Sequence, residues 1–150
     1  MTPFMKKIPR VVFGTDHAGY TLKEILKKHL MDQGIDVIDE GTFSEEPVDY
    51  PPIIRKACAV VLIQKCPGII LGGSGIGESI AANKVRGIRA ARCCSPEDAK
   101  LSRQHNDANV ISLGQRMISE DTALEIVRVW LDTSFDGGRH LRRIQLLDQE

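Results

Sequence analysis

Residues 68–84 read Gly-Ile-Ile-Leu-Gly-Gly-Ser-Gly-Ile-Gly-Glu-Ser-Ile-Ala-Ala-Asn-Lys, and no other stretch restricts the possible folds as strongly. The apolar run 68–71 suits a short strand buried on both faces, and the residues from Ser79 onward suit a helix. Between them, 72–77 form a glycine-rich turn whose backbone N–H groups can face an anion at a helix N-terminus. A strand, a glycine turn and a helix in that order belong to α/β architecture. The turn ends on a carboxylate, Glu78. A triphosphate-binding P-loop needs a lysine there, and a carboxylate would repel the phosphates. The dinucleotide fingerprint fails as well, because position 78 would have to be Gly or Ala. What is left is an anion cradle with a base beside it, although an acid in the first turn of a helix is also favoured by the helix dipole alone.

The rest of the chain repeats the alternation. Strands are expected at 10–15, 36–39, 68–71, 88–91 and 110–113. The first helix carries Leu22, Ile25, Leu26, His29 and Leu30 at helical spacing; the second opens at Pro51 and carries Ile54, Ala57, Cys58, Val61 and Leu62. Ser95-Pro96-Glu97-Asp98 is a helix start with a capping serine and a proline at the first position. Ala123, Ile126, Val127, Trp130 and Leu131 mark the next helix. Asp136-Gly137-Gly138 then breaks the chain before an arginine-rich C-terminal helix, 138–150. The expected fold is a three-layer, doubly wound, Rossmann-like α/β domain with a parallel five-stranded sheet covered on both faces. At 150 residues, 42% hydrophobic and 27% charged, the chain fits a single domain, with residues 1–9 as a loose basic lead-in.

Composition also excludes partners. Formal net charge is zero, so nothing points to nucleic acid or an anionic membrane, and no run is long enough to span a bilayer. Cys58, Cys66, Cys93 and Cys94 lack CxxC spacing and include an adjacent pair, as free thiols of a reducing cytoplasm would. No His/Cys/carboxylate spacing resembles a metal-ligand set, so neither a metal nor an organic cofactor is expected.

In doubly wound sheets ligands collect beyond the carboxyl ends of the strands. There the sequence places Asp16 and His17 after strand one, Gly41-Thr42 and Asp49-Tyr50-Pro51 after strand two, the cradle and Glu78 after strand three, and Gln115-Arg116 after strand five. Ser74, inside the turn, could relay a proton between substrate oxygens. Each has an ordinary alternative: Asp16 as a cap, Ser74 as a turn former, Arg116 as a solvated loop residue. Two groups fall elsewhere. His105-Asn106 ends the fourth helix just before strand five, on the opposite rim, where a histidine also suits the helix dipole. Arg139 and Arg143, four apart behind Gly137-Gly138, could hold a phosphate or form a solvated basic end.

Several segments together resemble the type B ribose-5-phosphate isomerases, a family that includes galactose-6-phosphate isomerase subunits. They are Gly14-Thr15-Asp16-His17-Ala18-Gly19, Asp49-Tyr50-Pro51, Gly73-Ser74-Gly75-Ile76-Gly77 with Ser79-Ile80-Ala81-Ala82-Asn83-Lys84, Gly87-Ile88-Arg89-Ala90, Ser102-Arg103-Gln104-His105-Asn106-Asp107 and Gly137-Gly138-Arg139-His140. The likeness spans about residues 11–144. It implies interconversion of ribose 5-phosphate and ribulose 5-phosphate, without metal or cofactor, in a homodimer (or a tetramer) whose sites draw on both subunits. It also implies roles. Asp16 and His17 contact substrate, and the N–H groups of Gly73, Gly75, Ile76 and Gly77 hold the enediolate. His105 opens the furanose ring, Asn106 contacts substrate, and Arg116, Arg139 and Arg143 clamp the phosphate. Many members carry a catalytic cysteine where this chain has Gly72; a second branch uses a glutamate directly after the turn, and Glu78 places the chain with that branch. A hexose-6-phosphate substrate (allose or galactose), or a sensor that binds sugar phosphates without turnover, are the competing readings.

Overall fold

The computed structural model describes residues 8 and 10–149, so the basic lead-in lies outside the described residues except for Ile8, which packs against the core. Five parallel strands form one sheet: β1 (Arg10–Thr15), β2 (Asp36–Asp39), β3 (Gly68–Gly72), β4 (Ala90–Arg92) and β5 (Val110–Gly114). Their spatial order is β2-β1-β3-β5-β4. The intervening helices are α1 (Tyr20–Asp32), α2 (Tyr50–Gln64), α3 (Ile76–Asn83), α4 (Pro96–Asn106), α5 (Glu120–Asp132) and α6 (Arg139–Gln145). The doubly wound parallel sheet is therefore as expected from the alternation. No helix of the described residues is long and apolar enough to cross a membrane.

The period of two along the central strands builds two cores. Val11 and Phe13 of β1, Ile69 and Leu71 of β3, and Ile111 and Leu113 of β5 face one layer with Leu22, Leu26, Leu30, Ile126 and Trp130. Val12, Ile70 and Val110 face the other, with Ile54, Ala57, Cys58 and Val61 of α2 and Ala82 of α3. Ser112 shares that second register and is fully buried. From β1 the chain runs outward to β2, and after β3 it continues to the other side of the sheet. The crevice between the carboxyl ends of β1 and β3 is thus the switch point at which such sheets bind ligands.

Three boundaries differ from expectation by more than one residue. Helix α3 starts at Ile76, not Ser79, because Gly75 takes φ 78° and its carbonyl already receives the Ser79 N–H; the turn is accordingly shorter and Gly77 is helical. Strand β4 begins at Ala90 rather than 88, since Ile88 donates its N–H back to Val85 in the turn that follows α3. Helix α6 covers Arg139–Gln145, half of the span expected for it. The Ser95 cap is as the sequence indicates, its hydroxyl accepting the Asp98 N–H at 3.2 Å.

Candidate active site

The crevice collects Asp16 and His17 from the β1 end, Tyr50 from the start of α2, the cradle and Glu78 from β3–α3, and Arg116 from the β5 end. Asp16 is buried and caps the short 3-10 turn His17–Gly19, its Oδ1 accepting the Ala18 N–H at 2.9 Å. His17 Nδ1 accepts the Val48 N–H at 3.2 Å, which ties its ring to the loop after β2.

Glu78 is the least ordinary group here. It is 4% exposed although it is a carboxylate at the first turn of a helix. Burial raises its pKa and nearby Asp16 adds to the rise, against the pull of its own backbone N–H. Burial is the largest of these influences, so the net shift is upward. The carboxylate lies in the volume that a β-carbon at position 72 would occupy, since such an atom would overlap Cδ and both oxygens. Gly72 and Glu78 therefore share one space. A side chain at 72 would displace the Glu78 carboxylate from the place it occupies here.

The cradle itself is Gly73-Ser74-Gly75. Gly75 takes φ 78°, in the left-handed region, and a β-carbon there would meet the Leu113 backbone carbonyl carbon at 3.0 Å, so conformation and space both favour glycine. Ser74 Oγ accepts the Ile76 N–H at 3.2 Å, the turn-forming role among its two alternatives. The Arg116 guanidinium rests on Gly73, where a β-carbon would meet Nη1 at 2.8 Å, so the exposed arginine does face the cradle. The Tyr50 hydroxyl rests on Gly77, 2.6 Å from a β-carbon built there.

His105, Asn106, Arg139 and Arg143 are not part of this crevice. Helix α4 ends just ahead of β5, so His105 lies at the amino edge of the sheet. Helix α6 packs on α4 there, and the His105 and His140 rings stack with centroids 4.5 Å apart. This brings the exposed Arg139 and Arg143 to the side of His105 and away from Glu78. Although no sequence spacing signals a metal-ligand set, the fold places ligand atoms of His105, Asp136 and His140 within 4.8 Å of one another. Burial, with Arg139, His105 and Arg143 nearby, lowers the pKa of His140 against the pull of Asp136.

Sequence reasoning missed Arg92, Ser112 and Lys23. Arg92 Nε donates to the Ser74 carbonyl at 2.9 Å, and Ser112 Oγ donates to the Gly75 carbonyl at 2.7 Å. Lys23 is fully buried and donates to Asp39 Oδ1, Asp39 Oδ2 and the Thr42 carbonyl at 2.8, 2.7 and 2.7 Å. Two of them carried a signal: a lone serine inside an apolar strand, and a lysine between the apolar positions Leu22 and Leu26.

Residues 11–147 match the family model described as Ribose/Galactose Isomerase. The protein called ribose-5-phosphate isomerase B in Escherichia coli (strain K12) is 46% identical over 144 residues, 95% of each chain. Among solved structures, a ribose 5-phosphate isomerase from Thermotoga maritima superposes with a TM-score of 0.92 at 47% identity, over 95% of this chain and 99% of that one. A ribose-5-phosphate isomerase B from Mycoplasma genitalium with bound ribulose 5-phosphate superposes with a TM-score of 0.89 at 36% identity, over 93% of this chain and 94% of that one. The chain belongs to the ribose/galactose isomerase family.

Proposed function

We propose that this family member interconverts ribose 5-phosphate and ribulose 5-phosphate through a cis-enediolate, with Glu78 as the proton-transfer base. One observation carries the assignment of the base: a carboxylate buried in the crevice beside a turn of unpaired backbone donors, its pKa raised by that burial. An aldose–ketose isomerisation moves a proton between adjacent carbons, so one carboxylate can remove it from one and return it to the other. A pKa raised toward the working pH suits a group that must accept and release a proton in each cycle. The carbon acid is weak, so holding the enediolate oxygen is the larger task, and preorganised N–H groups contribute roughly 3–4 kcal/mol each in such roles. Gly73, Gly75, Ile76 and Gly77 supply those donors in this reading, the Ile76 N–H leaving Ser74 Oγ to do so, and Asp16 and His17 bind the sugar beside them.

Ring opening is assigned to His105 of a second copy of the chain, with Asn106, Arg139 and Arg143 arriving from that copy and Arg116 from the first. The topology supports this, since His105 and Glu78 lie at opposite edges of one sheet, and a two-fold axis can set one edge against the other. The exposed apolar side chains Ile76 and Ile80 on α3 and Leu141 and Leu146 near α6 give such a dimer surface to bury. Four free cysteines suit a reducing cytoplasm. The reaction as drawn uses no metal or organic cofactor.

The test is a side-by-side assay of ribose, allose and galactose phosphates, with and without exhaustive chelation. We expect ribose 5-phosphate to give the highest kcat/KM, unchanged by the chelator. Turnover of none of the sugars would favour a sensor; a preference for a hexose 6-phosphate would move the substrate within the family. Loss on chelation with recovery on one divalent ion would mean that the enediolate is held by a metal.

A further inference from the structure

The donors of the cradle face the crevice because their peptide planes are turned from behind. In a planar trans peptide the carbonyl of one residue and the N–H of the next point in opposite directions. Along the turn every carbonyl is held on the side of β4 and β5. The Gly72 carbonyl accepts the Gln115 N–H at 2.9 Å, and that of Gly73 accepts the Arg116 N–H at 3.0 Å. The Ser74 carbonyl accepts Arg92 Nε at 2.9 Å. The Gly75 carbonyl accepts Ser112 Oγ at 2.7 Å and, more weakly placed, the Ser79 N–H at 3.2 Å. The N–H groups of Gly73, Ser74 and Gly75 are thereby turned away from β4 and β5, and none of the three has an acceptor among the described residues. The N–H opposite the Gly75 carbonyl is that of Ile76, which donates to Ser74 Oγ at 3.2 Å, so the Arg92 tether orients the Gly75 N–H and the Ser112 tether that of Ile76.

Three of these five tethers are backbone, two beyond the end of β5 and one from α3; the other two are side chains that a substitution can remove. Ser112 is fully buried, in the β5 register that faces α3, and it is the polar residue of an otherwise apolar strand. Its hydroxyl has no other donor role in the structure. Arg92 ends the edge strand β4, half-buried, and reaches across β5 to the turn. A glycine-rich turn is conformationally permissive, so its peptide planes can flip unless something fixes them. A flipped plane would present a carbonyl oxygen to the developing enediolate in place of a donor.

We infer that Arg92 and Ser112 are positioning residues for the reaction: by holding the Ser74 and Gly75 carbonyls they fix the orientation of the oxyanion-binding peptides. Neither needs to touch substrate. This rests on the isomerase reading, because fixed N–H donors matter most to an oxyanion that exists only along that reaction path.

The experiment measures Ser112→Ala and Arg92→Met against the unaltered enzyme, with three readouts: steady-state kinetics on ribose 5-phosphate, affinity for a phosphorylated four-carbon hydroxamate that mimics the planar enediolate, and affinity for ribitol 5-phosphate, which has no carbonyl to enolise. Each substitution is expected to lower kcat about 10–100-fold with KM within about twofold, and to weaken the hydroxamate by the same factor while leaving ribitol 5-phosphate unchanged. Simple loss of the Arg92 charge would weaken both phosphorylated ligands together, and that result would overturn the inference. So would an unchanged kcat in either folded variant. Where Ser112→Ala does not fold, Arg92→Met on the edge strand decides alone. Failure of the unaltered enzyme to isomerise any phosphosugar would instead refute the isomerase reading, so the two failures are distinguishable.

Discussion

At the residue scale, Glu78, the proposed base, is an acid held buried at a cost to stability. Its pKa is raised in the folded state, so the native protein keeps the proton to higher pH than the unfolded chain does. Stability associated with this group is then fully present below the ordinary carboxyl pKa of 4.5 and is lost as pH rises through the elevated folded value. Glu78→Gln should abolish isomerisation, by at least about 10²–10⁴-fold, while substrate still binds. The same variant should be more stable than the unaltered protein at neutral pH, and the advantage should vanish below pH 4.5, as urea titrations at several pH values would show. Near wild-type turnover would remove Glu78 from the mechanism. The cysteines make the complementary case. Burial pushes the Cys58 and Cys93 thiols up to about 12 and raises Cys66 as well, so none of the three is a thiolate at neutral pH. Cys66 also sits ahead of β3, at the edge away from the crevice, and only Cys94 is exposed. Replacing all four with Ser or Ala should leave kcat close to wild type in a folded variant; loss of activity there would give a thiol a role.

Among the elements, α1 does more than cover the sheet. Its buried Lys23 neutralises Asp39 at the end of β2 and ties down the Thr42 carbonyl, while Lys27 reaches the same carboxylate at 3.0 Å. Burial would raise the pKa of Asp39, but Lys23, the Gly41 N–H and Lys27 together hold it below the ordinary range. That loop in turn bonds to β1, with Thr15 donating to the Gly41 carbonyl and Thr42 donating to the Thr15 carbonyl, both at 2.7 Å. One residue further on lies Asp16. The Lys23 to Asp39 contact therefore anchors the loop that flanks the substrate crevice. Lys23→Met leaves a largely buried carboxylate with one partner fewer and should cost about 3 kcal/mol, seen as a Tm lower by roughly 10 °C. A change below about 0.5 kcal/mol would show that Lys27 alone suffices. Because Asp39 is depressed, the stability it contributes is present above its unfolded pKa and is lost as pH falls through the folded value.

For the whole molecule, the candidate residues divide between two edges of one sheet. Asp16, His17, the cradle, Glu78 and Arg116 share the carboxyl edge; His105, Asn106, Arg139 and Arg143 gather where α4 and α6 meet at the other. If sites are shared across a dimer, mixing inactive Glu78→Gln and His105→Ala subunits creates one site with both lesions and one with neither. Half of randomly reassociated dimers are mixed, so activity should return to about a quarter of wild type. Heterodimers that form, as shown by mass spectrometry or tag separation, yet stay inactive would exclude His105 from acting in trans.

The sequence alone determined the sheet, both of its cores and the crevice. Hydrophobic periodicity of two and of 3.6 is a local property, and the glycine turn followed by Glu78 is contiguous in the chain. It also separated His105 from Glu78, since which end of a strand a residue adjoins follows from chain order in a parallel sheet. Boundaries set by backbone dihedrals, such as the start of α3 at Ile76 and of β4 at Ala90, were less legible because left-handed glycines decide them. Tertiary structure alone decided which force governs Glu78, because burial depends on what packs over it. It alone brought His105 onto His140, 35 positions away by number, through the packing of α6 on α4. The same holds for Arg92 and Ser112 behind the cradle: their partners are carbonyls of another strand's turn, and a backbone carbonyl leaves no mark in the sequence.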